Sequence, residues 1–90
     1  SVQSLYPNPS GGDYIRLILD VESNYSDVKI GVYNLLGKLL NNISIGSLDQ
    51  GEHEISMHHH IDDGYPSGMY TMVIDLDDTT SMSRKFTIVK

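Results

Sequence analysis

Apolar and polar residues alternate with period two along most of the chain. The pattern is clearest at Tyr14-Ile15-Arg16-Leu17-Ile18-Leu19-Asp20-Val21, where Ile15, Leu17, Leu19 and Val21 share one face. A strand patterned in this way turns one face to a core and the other to water. Val28, Ile30 and Val32 repeat the pattern against Lys29, Gly31 and Tyr33. Asn34-Leu35-Leu36-Gly37-Lys38 then reads as a tight connection whose Gly37 supplies a positive φ, which predicts a hairpin. Residues 39–45 predict the next strand, and residues 46–51 a turn bracketed by Gly46 and Gly51. Residues 52–60 resume the alternation, with His53, Ile55, Met57 and His59 on one face. Proline and glycine in residues 61–68 predict a loop. Residues 69–76 predict a strand and 77–81 a turn. The closing strand, 82–89, sets Met82, Arg84, Phe86 and Ile88 opposite Ser83, Lys85, Thr87 and Val89. No segment carries a helical period.

Six long strands and a short first one around Ser4 to Tyr6 predict an all-β fold, an immunoglobulin-like antiparallel β-sandwich of about seven strands. Unequal loops argue against a closed barrel. Ninety residues make a single domain, 1–90, in which only about 60 to 65% of the unfolded surface is buried. Enclosed substrate cavities of roughly 300 Å³ or more do not fit easily in such a core, so a buried active site is not expected.

Charge narrows the partners. The formal net charge is -6 and the Lys and Arg residues are scattered, which leaves no basic patch for nucleic acid or for an anionic bilayer. No apolar run approaches the roughly 18 residues that span a membrane, so direct membrane insertion is not expected. Cysteine is absent, which removes disulfides, thiolate-bound zinc and thiol nucleophiles. The strand pattern runs flush to Lys90, and this suggests the natural end of a larger secreted parent.

His58 and His60 project to the same side of a strand, about 7 Å apart, and would be the candidates for metal chelation. The spacing specifies no third ligand, and a polar strand end facing solvent is the preferred reading. Asp75, Asp77 and Asp78 lack the order of a calcium loop and read as an acidic turn. No carboxylate pair or nucleophile turn stands out, so neither catalysis nor a cofactor is expected. Tyr6, Tyr14, Tyr25, Tyr33, Tyr65 and Tyr70 are dispersed. Tyr70, just after Ser67-Gly68-Met69, is placed like a corner tyrosine whose hydroxyl bonds back to a loop carbonyl.

Three pieces in order carry a family likeness: Leu5-Tyr6-Pro7-Asn8-Pro9 followed by glycines, Gly68-Met69-Tyr70, and Lys85-Phe86-Thr87-Ile88-Val89-Lys90. With Val32-Tyr33-Asn34-Leu35-Leu36-Gly37-Lys38 between them, the chain resembles the type A C-terminal sorting domain of the type IX secretion system of Bacteroidetes. The resemblance implies a seven-stranded module covalently continuous with an upstream cargo, often a hydrolase or an adhesin. It also implies a type IX translocon as partner, and a sortase-like cysteine peptidase that removes the domain at the outer membrane. Cleavage would fall at or before the first residues here, and the cargo would end secreted or on the cell surface. By the same likeness the signal residues are Pro7, Asn8, Pro9, Gly68, Tyr70, Lys85, Phe86, Thr87, Ile88, Val89 and Lys90. Residues 58–67 depart from the pattern as a longer polar insertion and look instead like the Ig-like domain of flagellar hook-capping proteins.

A terminal strand suits such a role because its backbone can be offered to a receptor edge while alternate side chains select the partner. Phe86 and Ile88 are expected to anchor the strand, Thr87 and Val89 to lie on its other face, and Lys85 and Lys90 to supply charge. The rival reading is a carbohydrate- or protein-binding accessory module of an extracellular enzyme, with surface tyrosines as stacking platforms.

Overall fold

In the computed structural model, which describes residues 2–6, 14–58 and 65–89, the alternation is realised as strands throughout. Seven run through the described residues: β1 (Val2–Tyr6), β2 (Tyr14–Val21), β3 (Tyr25–Tyr33), β4 (Leu39–Leu48), β5 (Gly51–His58), β6 (Gly68–Leu76) and β7 (Thr80–Ile88). They form two sheets, ordered β1-β2-β5 and β4-β3-β6-β7. Every pairing is antiparallel. The chain changes sheet after β2, β4 and β5, so that β6 returns to lie beside β3. The expected all-β antiparallel sandwich is therefore the fold.

One residue in two supplies the core. Leu17, Leu19 and Val21 from β2 face Val28, Ile30 and Val32 from β3, Met72, Ile74 and Leu76 from β6, and Phe86 and Ile88 from β7. Each fully buried side chain of this size contributes about 1.5 to 3 kcal/mol relative to solvent. On the edge strand β4, Leu40, Ile43, Ile45 and Leu48 pack against this core but remain only partly buried.

Two predicted boundaries move. The turn expected over residues 46–51 shrinks to Asp49 and Gln50, because β4 continues to Leu48. Gly46, at φ 87, absorbs a register shift beside Val28 and keeps the strand going instead of ending it. The turn expected over 77–81 likewise ends at Thr79, with Thr80 and Ser81 already paired to Leu76 and Asp75.

The molecule is elongated, 36 × 22 × 18 Å, and its two ends are built differently. At one end lie the β2–β3, β4–β5 and β6–β7 turns. Asp77 and Asp78 both take positive φ, 55° and 56°, a conformation that aspartate tolerates better than most residues. The Asp77 carboxylate accepts hydrogen bonds from the Asp27 amide (2.7 Å), the Ser26 amide (3.0 Å) and the Ser26 hydroxyl (3.2 Å). The Asp77 amide donates in return to the Asp27 carbonyl at 2.9 Å. Asn24 Oδ1 accepts from the Gln50 amide at 2.7 Å, so side chains tie the β6–β7 turn to the start of β3 and the β2–β3 turn to the β4–β5 turn. The opposite end holds the β3–β4 turn, the start of β6 and the end of β7.

Candidate functional site

Cross-strand register brings the two best-marked sequence pieces together. Gly68 pairs with Ile88, Met69 with Thr87, Tyr70 with Phe86, and Thr71 with Lys85. On its other side β6 pairs with β3, where Tyr33 stands opposite Thr71, so the β3–β4 hairpin joins the same end. Three segments far apart in sequence thus meet at one end of the four-stranded sheet.

Alternation divides the closing strand between two roles. Phe86 and Ile88 are 1% and 0% exposed, so nothing outside the domain reads them directly. Lys85 is exposed, Thr87 half-buried, and Val89 is 56% exposed on the opposite face. The outward set is therefore Lys85, Thr87 and Val89.

Tyr70 points inward and holds the corner. Its hydroxyl donates to the Pro66 carbonyl, four residues earlier, as expected of a tyrosine corner. Its ring stacks on Tyr65 at 5.2 Å between centroids with 10° between planes, and on Phe86 at 5.7 Å and 26°. Burial, and then the neighbouring Tyr70, pushes the Tyr65 hydroxyl up to about 12. Burial raises Tyr70 as well. Both phenols stay neutral at physiological pH, and the aromatic column fixes where β6 leaves the loop and how β7 lies on it.

A group of exposed apolar side chains was not among the sequence-derived site residues. Leu35 is 78% exposed and Leu36 92%, at the tip of the β3–β4 hairpin, and Leu39 and Met69 also stand in solvent. The turn that displays them is closed by Asn34: its Oδ1 accepts from the Leu36 and Lys38 amides at 3.0 and 2.9 Å, while Gly37 takes φ 86 as predicted. Gly31 lets Tyr33 and Leu39 lie flat on the outer sheet face, because a Cβ there would meet their side chains at 3.1 and 3.3 Å. A shallow recess of about 210 Å³ runs between the hairpin tip and residues 66–70. Two adjacent leucines at a turn tip, where polar residues are usual, were the available signal.

Pro7, Asn8, Pro9, Lys90 and His60 lie outside the described residues. His58 ends β5 opposite Tyr14. Among the described residues no three His, Asp or Glu side chains sit where they would hold a metal ion. Asp77 uses its carboxylate on the backbone of the neighbouring turn. The assembled end offers strand backbone, exposed apolar side chains and lysines, which is the equipment of recognition.

Residues 4–90 match the family described as secretion system C-terminal sorting domain. A search of curated proteins gave no match. The chain is similar to the solution NMR structure of a domain, described as part of a cell-surface protein, from Methanosarcina acetivorans. The TM-score is 0.63 at 11% identity, over 97% of this chain and 88% of that one, a likeness of fold. Sorting domains act as signals, and with 4–90 matched this chain belongs to the secretion system C-terminal sorting domain family, the sorting signals of type IX secretion.

Proposed function

We propose that residues 1–90 are a single sorting domain closing a larger secreted protein, and that they direct the upstream cargo through the type IX translocon across the outer membrane. A sortase-like cysteine peptidase then removes the domain upstream of β1 as the cargo is attached at the cell surface. The domain acts as a folded address and not as a catalyst. The observation that carries this reading is the family match across 4–90. Supporting it, Gly68-Met69-Tyr70 and residues 86–88 are cross-strand partners, so two of the sequence pieces that mark the family lie side by side. A net charge of -6 also suits a partner that is neither nucleic acid nor an anionic bilayer.

Lys85, Thr87 and Val89 on that surface, together with Lys90 at the next position in the sequence, are the residues a receptor reads, while Phe86, Ile88, Gly68 and Tyr70 hold the strand in place. Pro7, Asn8 and Pro9, between β1 and β2 in the sequence, complete the signal. The test is a transfer. Residues 1–90 are fused behind a periplasmic reporter in a host with a type IX system, and the reporter is expected outside the outer membrane, with the domain retained when the peptidase is deleted. A Lys85→Glu/Lys90→Glu fusion is expected to stay in the periplasm with its thermal midpoint unchanged, since substitutions at exposed positions such as Lys85 alter stability by less than about 0.5 kcal/mol. A reporter that remains periplasmic with the intact domain refutes the sorting role, and normal export of the double variant refutes the role of the two lysines.

A further inference from the structure

Among residues 16–56 and 65–89, every large hydrophobic side chain that stands exposed is at the same end of the sandwich: Leu35, Leu36, Leu39, Met69 and Val89. Singly, such residues would need no explanation, but a grouping does. Local folding does not require the two most exposed of them, because Asn34 and Gly37 close the hairpin without either leucine side chain.

Charge is sorted along the same axis. On the four-stranded sheet and its β3–β4 and β6–β7 turns, the carboxylates among the described residues are Asp27, Asp75, Asp77 and Asp78, all at the opposite end. Met69 and Asp77 are eight residues apart on or just beyond β6, about 26 Å of strand, roughly three Debye lengths at physiological salt. Among the described residues of this sheet, the apolar end thus carries lysines and no carboxylate, with Lys38 and Lys85 both exposed.

We propose that this end, formed by the β3–β4 hairpin tip, the start of β6 and the end of β7, docks onto a protein surface in which an apolar recess is rimmed by carboxylates. The proposal rests on the sorting reading and names the chemistry of the receptor that reads the domain. Leu35, Leu36 and Met69 would fill the recess while Lys38 and Lys85 meet the rim. A second copy of the chain fits poorly, because a two-fold contact would bring together two identical patches whose described residues offer lysines and no carboxylate to pair with them. An anionic bilayer also fits poorly, since two lysines gain only about 1 kcal/mol each at such a surface and the chain as a whole is acidic.

The test uses the exported parent protein carrying Leu35→Asp/Leu36→Asp, and separately Lys38→Glu. With folding checked by thermal unfolding of the chain, export is expected to fall at least ten-fold for the leucine pair and several-fold for Lys38→Glu. A parent lacking residues 1–90 is the control. If that deletion is exported normally, the sorting reading falls. If the deletion blocks export but the leucine pair is exported at the normal rate with an unchanged thermal midpoint, the docking surface is wrong and the sorting reading stands. Sedimentation is expected to show monomers, and a dimer that Leu36→Asp dissociates overturns the proposal in favour of self-association. Binding to phosphatidylglycerol vesicles, lost in the leucine pair, overturns it in favour of a lipid surface.

Discussion

At one end of this sandwich the turns are polar and tied to one another, with Asp77 reaching the Ser26 and Asp27 amides and Asn24 reaching Gln50. At the other end Leu35 and Leu36 stand in solvent on a turn that closes without their side chains. Both ends use the same device, a short side chain bonded to turn backbone, yet only the first uses it to join neighbouring strand pairs. At the second the device displays the tip. Hydrogen bonds between neighbouring turns are thus gathered at one end, while at the other the exposed apolar side chains stand over the stacked rings of Tyr65, Tyr70 and Phe86.

The sharpest way to break that division is Phe86→Ala, which removes a buried ring from beneath the recognition end. Unfolding stability in urea is expected to drop by about 3 to 5 kcal/mol. A loss under 1 kcal/mol would mean that the inward residues of β7 are not core. Next comes alkaline pH. Tyr65, held up to about 12, and Tyr70, also raised, bind a proton in the folded state that the unfolded chain releases near pH 10. Their neutral forms support the fold fully below pH 10, and that stability is expected to fall as pH rises towards 12. Tyr65→Phe should flatten the decline in a pH series of melting curves.

At the acidic end, Asp77→Ala should cost about 1 to 2 kcal/mol, tempered by the exposure of the amides it serves, and should leave export unchanged. Loss of export from a still-folded Asp77→Ala protein would show that the ends do not divide the labour. Tyr70→Phe keeps the stacked rings and removes one hydrogen bond, for an expected loss near 1 kcal/mol in the same measurement. The smallest effect is a gain. Asp78→Gly relieves a positive φ and should raise stability by about 0.5 kcal/mol.

Much of the fold could be read before the structure was known, because a half-buried strand writes its faces directly into a period of two. Val28, Ile30 and Val32 on β3 and Phe86 and Ile88 on β7 were assigned inward, and they are buried. The Tyr70 corner was legible too, since a tyrosine just after a Pro-Ser-Gly-Met loop has a carbonyl within reach. Gly46 misled for a physical reason: a glycine at positive φ serves a bulge as well as a turn, and sequence does not separate them. The apolar end was hidden because it depends on β6 pairing with β3, a contact between residues about forty apart that no local pattern announces. Leu35 and Leu36 were visible as residues, but their company was not.

The positive-φ turn at Asp77 and Asp78 has one more consequence. It sets the pairing of Leu76 with Thr80, and every later pairing of β7 follows from that first step. Adding one residue there would slide the strand by a single place, carry Phe86 and Ile88 to the outside, and drive Lys85 towards the core. The hairpin thus behaves like the start codon of a reading frame. It touches none of the letters at the far end, yet it decides which of them are spoken and which are silent.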